Sequence, residues 1–380
     1  MLCLGIESTA HTFGMSIVDC TGKIWSNKNK LFSTETGGLI PAELSDHHTD
    51  IFDKLLCEVL FESGKKLNDI DIIAFSQSPG MGHSLRIGAI VARSLALLLD
   101  VPLIGVNHCI AHLEVGRKFA KNELDINDVC SDPILLYASG ANTQIIGYEG
   151  KKYRIFGETL DNGIGNFLDG FARYVGLGFP GGPKIQTLAQ NYQKEKQEAQ
   201  LIELPYAVKG MDLSFGGIQT NLKKLFDSNK YSKEELCFAV QETAFAMLIE
   251  VAERALAHTG KKELLLGGGV ACNKRLQEMA KKMCKDRGAK CFILPNELNV
   301  DNAAMIAWTG MIQYAGYSMQ ETECSGQETV CRKQCAGNSV QDAKRGNRTQ
   351  QLKIQNSKDI SNSHIYPYLR TDEVEITWRN

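Results

Sequence analysis

Two histidines four residues apart have the spacing of a metal site. His108 and His112 belong to the run Asn107-His108-Cys109-Ile110-Ala111-His112, and a helix there would place both imidazoles on one face. A zinc peptidase of this pattern needs a glutamate directly after the first histidine as its general base, and this chain has Cys109 there. The spacing therefore indicates a metal site and argues against a peptidase, with a chance pair at a helix start as the alternative.

A glycine-rich turn is the second candidate. Gly267-Gly268-Gly269 follows the apolar strand 263–266 and precedes a helix that begins near Asn273. Glycines let a ligand approach the backbone, and a helix N-terminus favours an anion or a polar edge. The turn matches neither the dinucleotide-binding nor the P-loop pattern, so a ligand-binding turn and a plain tight turn both stay open.

Two further features allow two interpretations each. Asp301 precedes an alanine-rich helical stretch, where its carboxylate could cap the helix or bind a metal, and the cap is the default. The run Phe179-Pro180-Gly181-Gly182-Pro183 predicts a rigid turn that is either structural or faces a ligand.

These residues are connected by alternating strands and helices. Two similar strand–turn–strand units are predicted at 2–19 and 133–149, each with small and hydroxyl residues between its strands, where backbone N–H groups can face an anion. Helices are predicted at Pro41–Ser63, Ile87–Leu99 and Cys237–Thr259. This alternation predicts an α/β fold with covered sheets.

Composition narrows the class of protein. The 380 residues predict two or three domains or one bilobed unit, and no apolar run approaches the roughly 18 residues of a membrane span. The start of the chain resembles a first strand, not a signal peptide. With no secretory signal, the twelve scattered cysteines indicate a reducing compartment and not a disulfide scaffold. They include no C-x-x-C pair, which argues against a zinc ribbon and a thioredoxin motif. With a net charge of −2, a nucleic-acid partner would require a local basic patch or other subunits.

Residues 319–363 differ from the rest of the chain. They are rich in Gln, Ser, Lys and Asn, nearly lack large apolar residues, and are predicted to be a disordered insertion. Metal binding by Cys324, Cys331 and Cys335 is disfavoured because their spacing is loose and histidine is absent.

Several motifs together resemble one family. The chain resembles the tRNA adenosine threonylcarbamoyltransferases, in particular the catalytic subunit of the archaeal and eukaryotic KEOPS complex, a family formerly called O-sialoglycoprotein endopeptidases. The resemblance spans residues 1 to about 317 and resumes at 366–379. Its motifs are Gly5-Ile6-Glu7-Ser8-Thr9-Ala10-His11-Thr12, residues 105–112 and 137–144, Ile155-Phe156-Gly157-Glu158-Thr159-Leu160-Asp161, Lys209-Gly210-Met211-Asp212-Leu213-Ser214-Phe215, and Arg370-Thr371-Asp372-Glu373-Val374.

The resemblance implies an α/β fold of the actin-like ATPase (ASKHA) type, with two related lobes around a nucleotide and metal cleft. The lobes would comprise residues 1–132 and 133–318, followed by the insertion at 319–363 and a tail at 364–380 that returns to the fold. The implied reaction moves a threonylcarbamoyl group from threonylcarbamoyl-AMP to N6 of adenosine 37 in tRNAs that read codons beginning with A.

The resemblance implies roles for the residues of this chain that match the family's site positions. The implied ligands of one divalent metal ion, iron or zinc, are His108, His112, Tyr137 and Asp301. The implied nucleotide contacts are Tyr137, Ala138, Ser139, Gly140, Ala141, Asp169, Gly182, Gln186 and Asn273. Asp169 would hold the ribose hydroxyls, Gly182 would lie against the nucleoside, and Asn273 would meet its edge. ATP or another adenine nucleotide could occupy the same site, and no general base is assigned.

This chain departs from the family pattern around the ligand. Ala141 replaces a glycine, which requires a negative φ at that position. Gly170 replaces a basic residue, Gln186 an acidic one, and Ala303 a common glycine, while residues 178–183 resemble the bacterial branch.

The implied partners are tRNA and the KEOPS subunits, namely a small kinase, a dimerising subunit and a kinase-binding subunit. No membrane partner is expected. The expected location is the cytoplasm, and the nucleus is a second expected location. The alternatives are a non-catalytic scaffold of that complex, a metallopeptidase and a small-molecule kinase of the same fold.

Overall fold

Two β-sheets form the framework of the protein. The structure, a computed structural model, describes residues 1–33, 40–123, 125, 127–196, 200–316 and 363–379. The first sheet has the strand order β3-β2-β1-β4-β5. Its strands and the helices between and after them are β1 (Leu2–Glu7), β2 (Thr12–Asp19), β3 (Ile24–Leu31), α1 (Pro41–Ser63), β4 (Ile72–Ser78), α2 (Gly82–Leu99), β5 (Leu103–Asn107) and α3 (His108–Phe119).

The second sheet has the strand order β6-β13-β12-β7-β8-β9. Its elements are β6 (Lys121–Asn122), β7 (Ile134–Ala138), β8 (Thr143–Glu149), β9 (Lys152–Glu158), α4 (Ile164–Tyr174), α5 (Gly181–Glu195), the separate hairpin β10 (Val208–Lys209) and β11 (Asp212–Leu213), α6 (Gly216–Asp227), α7 (Lys233–Thr259), β12 (Glu263–Gly267), α8 (Lys274–Arg287), β13 (Lys290–Ile293), α9 (Asn296–Asn299) and a helix at 303–316, called α10 here. Short 3₁₀ turns lie at Leu67–Asp69, Gly269–Cys272 and Thr371–Glu373.

The two sheets share one plan. In the first, β1 pairs antiparallel with β2 and parallel with β4. In the second, β7 pairs antiparallel with β8 and parallel with β12. Strands β4 and β7 are buried along their whole length, as expected for strands covered on both faces. Because parallel strands end at the same sheet edge, the loops after them lie together there and can form a ligand site.

Helix α10 packs on the first sheet, although it follows the second in the chain. A Cβ built on Gly5 would lie 2.5 Å from the Ala307 backbone nitrogen, and one on Gly310 would overlap the Ala74 side chain. Only glycine permits this approach of helix to strand. The contact brings the residues just before α10, including Asp301, to the end of β1.

The C-terminal segment 363–379 also crosses to distant elements. The Tyr366 N–H donates to the Gln77 carbonyl at 3.0 Å, close to the end of β4. Farther along, the Trp378 indole N–H donates to a Glu114 carboxylate oxygen on α3 at 2.8 Å. This segment therefore packs on both the first sheet and the helix that bears the two histidines.

The predicted α/β arrangement is confirmed, with two differences at helix starts. Helix α2 begins at Gly82 instead of Ile87. Helix α7 begins at Lys233 instead of Cys237, because Ser232 and Glu235 form a capping box ahead of the apolar stretch. The predicted domain boundaries stay a prediction, and residues 319–362 of the predicted insertion lie outside the described residues.

Helix α2 has the length and composition of a membrane span. Its 18-residue window has a mean hydropathy of 1.3, and 44% of it is buried. The expectation that no apolar run approaches that length is therefore wrong for this helix. Its buried residues face the first sheet and α1, as in a core helix; they are Ser84, Leu85, Gly88, Ala89, Val91, Ala92, Leu95 and Ala96.

Candidate metal and nucleotide site

His108 and His112 are placed by the junction of β5 and α3. The helix begins directly after the strand, and the Asn107 side chain caps it by accepting the Ile110 N–H at 3.2 Å. Both histidines are buried, and their rings are 4.8 Å apart between centroids. The predicted arrangement on one helix face is therefore present.

Asp301 completes a group of three donors. Its Oδ1 lies 3.4 Å from Nε2 of His108 and 3.4 Å from Nε2 of His112. One ligand atom from each residue lies within 4.8 Å of the others. Asn302, not Asp301, caps α10, because its side-chain oxygen accepts the Met305 N–H at 3.1 Å. The default cap interpretation of Asp301 is therefore wrong, since its carboxylate faces the histidines.

A buried carboxylate supports the first histidine from behind. Glu7, at the end of β1, has no exposed surface, and its Oε2 lies 3.0 Å from Nδ1 of His108. Its other oxygen accepts the Thr9 backbone N–H at 2.6 Å. Such a carboxylate fixes the imidazole ring and leaves Nε2 for a ligand. Sequence analysis assigned Glu7 no role, although an acid at the end of an apolar strand was a signal.

The protonation states follow from burial and these charges. Burial opposes a charged His108, but Glu7 and Asp301 outweigh it and raise the pKa of His108 well above its ordinary value. Burial lowers the pKa of His112. Burial alone would raise the pKa of Asp301, but the two imidazoles hold that pKa well below its usual range. His108 therefore lies between the carboxylates of Glu7 and Asp301.

These donors fit a transition-metal ion. Two imidazole nitrogens and a carboxylate oxygen are donors that iron and zinc accept. Tyr137, at the end of β7, lies beside them, with its ring 4.9 Å from that of His112 between centroids. Burial raises the pKa of the Tyr137 phenol well above its usual value. The structure therefore brings all four predicted ligands to one place.

The loop after β7 forms a compact turn. The Ser139 N–H donates to the Asn142 carbonyl at 2.9 Å, and the Asn142 N–H donates to the Ser139 hydroxyl oxygen at 3.1 Å. The start of α4 supports the loop, since the Gly165 N–H donates to the Ser139 carbonyl. Ala138, Gly140 and Ala141 belong to the same segment, so this predicted part of the nucleotide site is one local structure.

The glycine-rich turn packs directly on this loop. Gly268 has a φ of 93°, and a Cβ built on it would lie 2.7 Å from the Ala138 carbonyl carbon. Both the backbone angle and the approach require glycine. The turn therefore has a structural reason for its glycines, and it also lines the same edge of the second sheet.

The remaining predicted contacts lie on α4, α5 and the start of α8. The Asp169 carboxylate accepts the Gly181 N–H at 2.7 Å, at the first residue of α5. A Cβ built on Gly182 would meet nothing within 4 Å, so space is open beside it. Gln186 accepts the Lys274 N–H at 3.0 Å. These hydrogen bonds connect α4 to α5 and α5 to the start of α8.

Asn273 has a double role at the start of α8. Its Oδ1 accepts the Arg275 N–H at 2.9 Å, and its Nδ2 donates to Gln241 at 3.2 Å. Gln241 is buried on α7 and was not a sequence candidate. Nothing in its local sequence pattern distinguishes it from the other buried residues of that helix.

Two of the departures from the family pattern are accommodated. The positive φ values among described non-glycine residues belong to Asp100, Lys151 and Asn229, so the extra methyl of Ala141 meets no backbone conflict. Beside Gly170 the Gln219 amide fills the space, 2.8 Å from where a Cβ would lie. The Gln219 amide therefore lies beside Gly170, the position at which the resemblance implies a basic side chain.

Comparison with known families and proteins agrees with the motif analysis. The family model for tRNA N6-adenosine threonylcarbamoyltransferase (TsaD) matches residues 23–308. A protein of that name from Thermococcus sibiricus is 50% identical over 325 residues, 85% of this chain and 95% of the relative. One from Methanocella arvoryzae is 44% identical over 375 residues, 99% of this chain and 98% of the relative.

Solved structures share the fold at low sequence identity. The HypF protein of T. kodakarensis superposes with a TM-score of 0.54 at 15% identity, over 83% of this chain and 48% of that one. The activator of 2-hydroxyisocaproyl-CoA dehydratase from Clostridium difficile, solved with bound ADPNP, has a TM-score of 0.50 at 11% identity, over 84% and 98% of the two chains. The predicted actin-like ATPase fold is confirmed.

Proposed function

Because this chain belongs to the tRNA N6-adenosine threonylcarbamoyltransferase family, it is an enzyme of tRNA modification, and we propose that it acts as the catalytic subunit of a KEOPS-type complex. The proposed donor is threonylcarbamoyl-AMP and the proposed acceptor is N6 of adenosine 37. The observation that carries the proposal is the convergence of His108, His112 and Asp301 within 4.8 Å, at the same edge as the loop after β7.

The proposed metal ligands are His108, His112, Asp301 and Tyr137, and the ion is iron or zinc. These residues would hold the ion, which would supply Lewis-acid chemistry at the reacting group. The protein positions its ligands beforehand: Glu7 orients His108, and Asn302 starts α10 so that Asp301 faces the histidines.

The adenylate of the donor is proposed to lie between the loop after β7 and the starts of α5 and α8. ADPNP, bound in the dehydratase activator of the same fold, is also an adenine nucleotide. Asp169 would accept the ribose hydroxyls, the open space beside Gly182 would take the nucleoside, and Gln186 and Asn273 would meet its edge. The N–H groups of residues 138–141 would face the phosphate.

The proposed transfer needs no covalent enzyme intermediate. The N6 amine attacks the carbamoyl carbon, a bond forms between N6 and that carbon, and the bond from that carbon to the AMP phosphate oxygen breaks. One amine proton is released, and AMP leaves. Backbone N–H donors stabilise the negative charge that develops, and a fixed geometry lowers the barrier further.

An exposed apolar face supports the proposal of protein partners. Phe61 on α1 is 90% exposed, and Leu98 on α2 is 71% exposed. Leu97 and Ile90 on α2 are also exposed, and α1 packs beside α2. A KEOPS-type subunit is proposed to cover these exposed apolar side chains on the two helices.

The test is a transfer assay with the complete complex. Protein and KEOPS-type partners are incubated with tRNA, threonine, bicarbonate, ATP and a threonylcarbamoyl-AMP synthase, and the digested tRNA is analysed by mass spectrometry. The modified adenosine should form with wild type and with His258→Ala, an exposed histidine on α7, and should be lost with His108→Ala and His112→Ala.

Two results would contradict the proposal. Full activity in the double variant His108→Ala/His112→Ala would refute the metal assignment. Absence of product from a wild-type protein that binds metal, nucleotide and partners would favour the scaffold alternative, and Gly170 and Gln186 would be the first positions to examine.

A further inference from the structure

Tyr368 is held in solvent by an ordered turn. Its side chain is 92% exposed, the highest value among the large hydrophobic side chains of the described residues. The Leu369 N–H donates to the Tyr366 carbonyl at 3.1 Å, and Leu369 itself is buried in a core that includes Tyr137. A tyrosine with a fixed backbone and a free ring loses little entropy when it contacts a partner.

The turn lies against the neighbours of the metal site on one side. The Gly80 N–H donates to the Pro367 carbonyl at 3.1 Å. A Cβ built on Gly80 would lie 2.7 Å from the Thr9 carbonyl oxygen, and the Thr9 hydroxyl lies 3.3 Å from Nδ1 of His108. The residue before Tyr368 is thus connected to a proposed metal ligand through two intervening residues, Gly80 and Thr9.

The residues that follow Tyr368 in the chain also lie near His108. Thr371 is buried, and its side chain acts on the thiol of Cys109, the residue after His108, where it opposes the burial that raises the pKa of that thiol. Tyr368 therefore belongs to a short segment whose neighbours on both sides, Pro367 and Leu369, pack against residues close to His108 and Tyr137.

Helix α2 begins next to the residue before Tyr368. A Cβ built on Gly82, the first residue of α2, would lie 3.7 Å from the Pro367 ring. Arg86, about one turn further along the helix, is exposed. Exposed aromatic and arginine side chains are the combination that binds single-stranded nucleic acid, by stacking and phosphate attraction.

We propose that Tyr368 is a positioning residue that stacks on an unpaired nucleobase of the tRNA anticodon loop and so presents the target adenosine to the metal site. This inference rests on the proposed function, because it takes the loop that contains adenosine 37 as the occupant. Stacking uses the ring face and not the hydroxyl, so phenylalanine should replace tyrosine. Arg86 would contribute attraction to a loop phosphate.

The test uses the assembled complex and an anticodon stem-loop RNA with 2-aminopurine beside the target adenosine. Wild type and Tyr368→Phe should change the probe fluorescence and bind with similar affinity. Tyr368→Ala should weaken binding by roughly 5- to 100-fold and abolish the fluorescence change. Arg86→Gln should weaken binding and reduce its salt dependence while keeping the fluorescence change.

Tyr174→Ala is the matched control. Tyr174 is an exposed tyrosine at the last residue of α4, the end of that helix away from the loop after β7. Its hydroxyl donates to Asp227. This variant should bind RNA as wild type does. Equal melting temperatures of the Tyr368 variants and wild type would show that the fold is intact.

Several outcomes would overturn the inference. One is wild-type RNA affinity and probe fluorescence in Tyr368→Ala. Another is a loss of RNA affinity in Tyr368→Phe equal to that in Tyr368→Ala, which would indicate a hydroxyl contact. A third is a loss of partner binding, instead of RNA binding, in Tyr368→Ala. Failure of the proposed function is distinguishable, because wild type would then bind the RNA and show the Tyr368-dependent signal without forming product.

Discussion

Nδ1 of His108 lies 3.0 Å from a carboxylate oxygen of Glu7, a residue 101 positions earlier in the chain. Neither side chain has more than a small exposed surface. With Nδ1 bound to Glu7, Nε2 is the nitrogen that faces Asp301 and His112. The end of β1 therefore determines which atom of a helix α3 residue can bind a ligand.

Replacement of Glu7 should weaken metal binding. Glu7→Gln keeps the volume but removes the charge that orients His108, so affinity for Fe²⁺ or Zn²⁺ should fall by about 10- to 100-fold. Metal titration monitored by calorimetry measures this. Glu43→Gln, at an exposed position on α1, should bind as wild type does. Unchanged affinity in Glu7→Gln would show that the carboxylate does not act through His108.

Replacement of Asp169 should weaken nucleotide binding more than it weakens the fold. Asp169→Asn keeps an oxygen that can accept the Gly181 N–H, so α5 should still begin at that residue. The charge that favours two ribose hydroxyls is lost, and an adenine nucleotide should bind about tenfold more weakly. Calorimetric titration with ATP measures this, with exposed Asp286→Asn as the control. Wild-type affinity in Asp169→Asn would remove Asp169 from the site.

Replacement of Gly5 should destabilise the whole protein. The methyl group of Gly5→Ala would overlap the α10 backbone, and overpacking of this kind costs roughly 1–3 kcal/mol. Urea unfolding should show the loss. Gly217→Ala, where a Cβ would meet Pro205 at an ordinary 3.8 Å, should be neutral or stabilise by up to about 1 kcal/mol. Equal stability of the two variants would mean that α10 can move away from β1.

Asp161 should make stability depend on pH at the acid end. Although burial acts in the opposite direction, bonds from Ser214 and from the N–H groups of Phe215 and Gly216 lower the pKa of Asp161 from 3.8 to about 2. An acid with a lowered pKa stabilises the fold above its unfolded value, and this contribution is lost as the pH falls through the folded value.

The difference between wild type and Asp161→Asn isolates this effect. At neutral pH the free energy of unfolding should be larger for wild type than for Asp161→Asn. This difference in free energy should decline between about pH 4 and pH 2. Urea unfolding at a series of pH values measures it. A constant difference over that range would show that the carboxylate charge contributes nothing.

Local patterns predicted much of the site because they concern residues close in sequence. The spacing of His108 and His112 specifies a shared helix face wherever that helix lies. The two strand–turn–strand units have counterparts in the hairpins that begin with β1 and β7. Asp301 was different: its own segment favoured a cap, and only the family resemblance indicated that it faces the histidines.

Helix starts were less well predicted than helix interiors. Apolar periodicity begins only after the first residues of α2 and α7, so the predicted helices start at Ile87 and Cys237 instead of Gly82 and Lys233. The capping box of Ser232 and Glu235 was a local signal that could have placed the start of α7.

The sequence by itself determined the element types, the histidine pair, the turn residues and, through its motifs, the family. Tertiary structure decided that Glu7 supports His108, that α10 packs on β1, and that the C-terminal segment packs against the end of β4 and against α3. The physical reason is that periodicity and capping depend on neighbours within a few residues, whereas these contacts depend on sheet order and on close approaches that only the assembled fold creates.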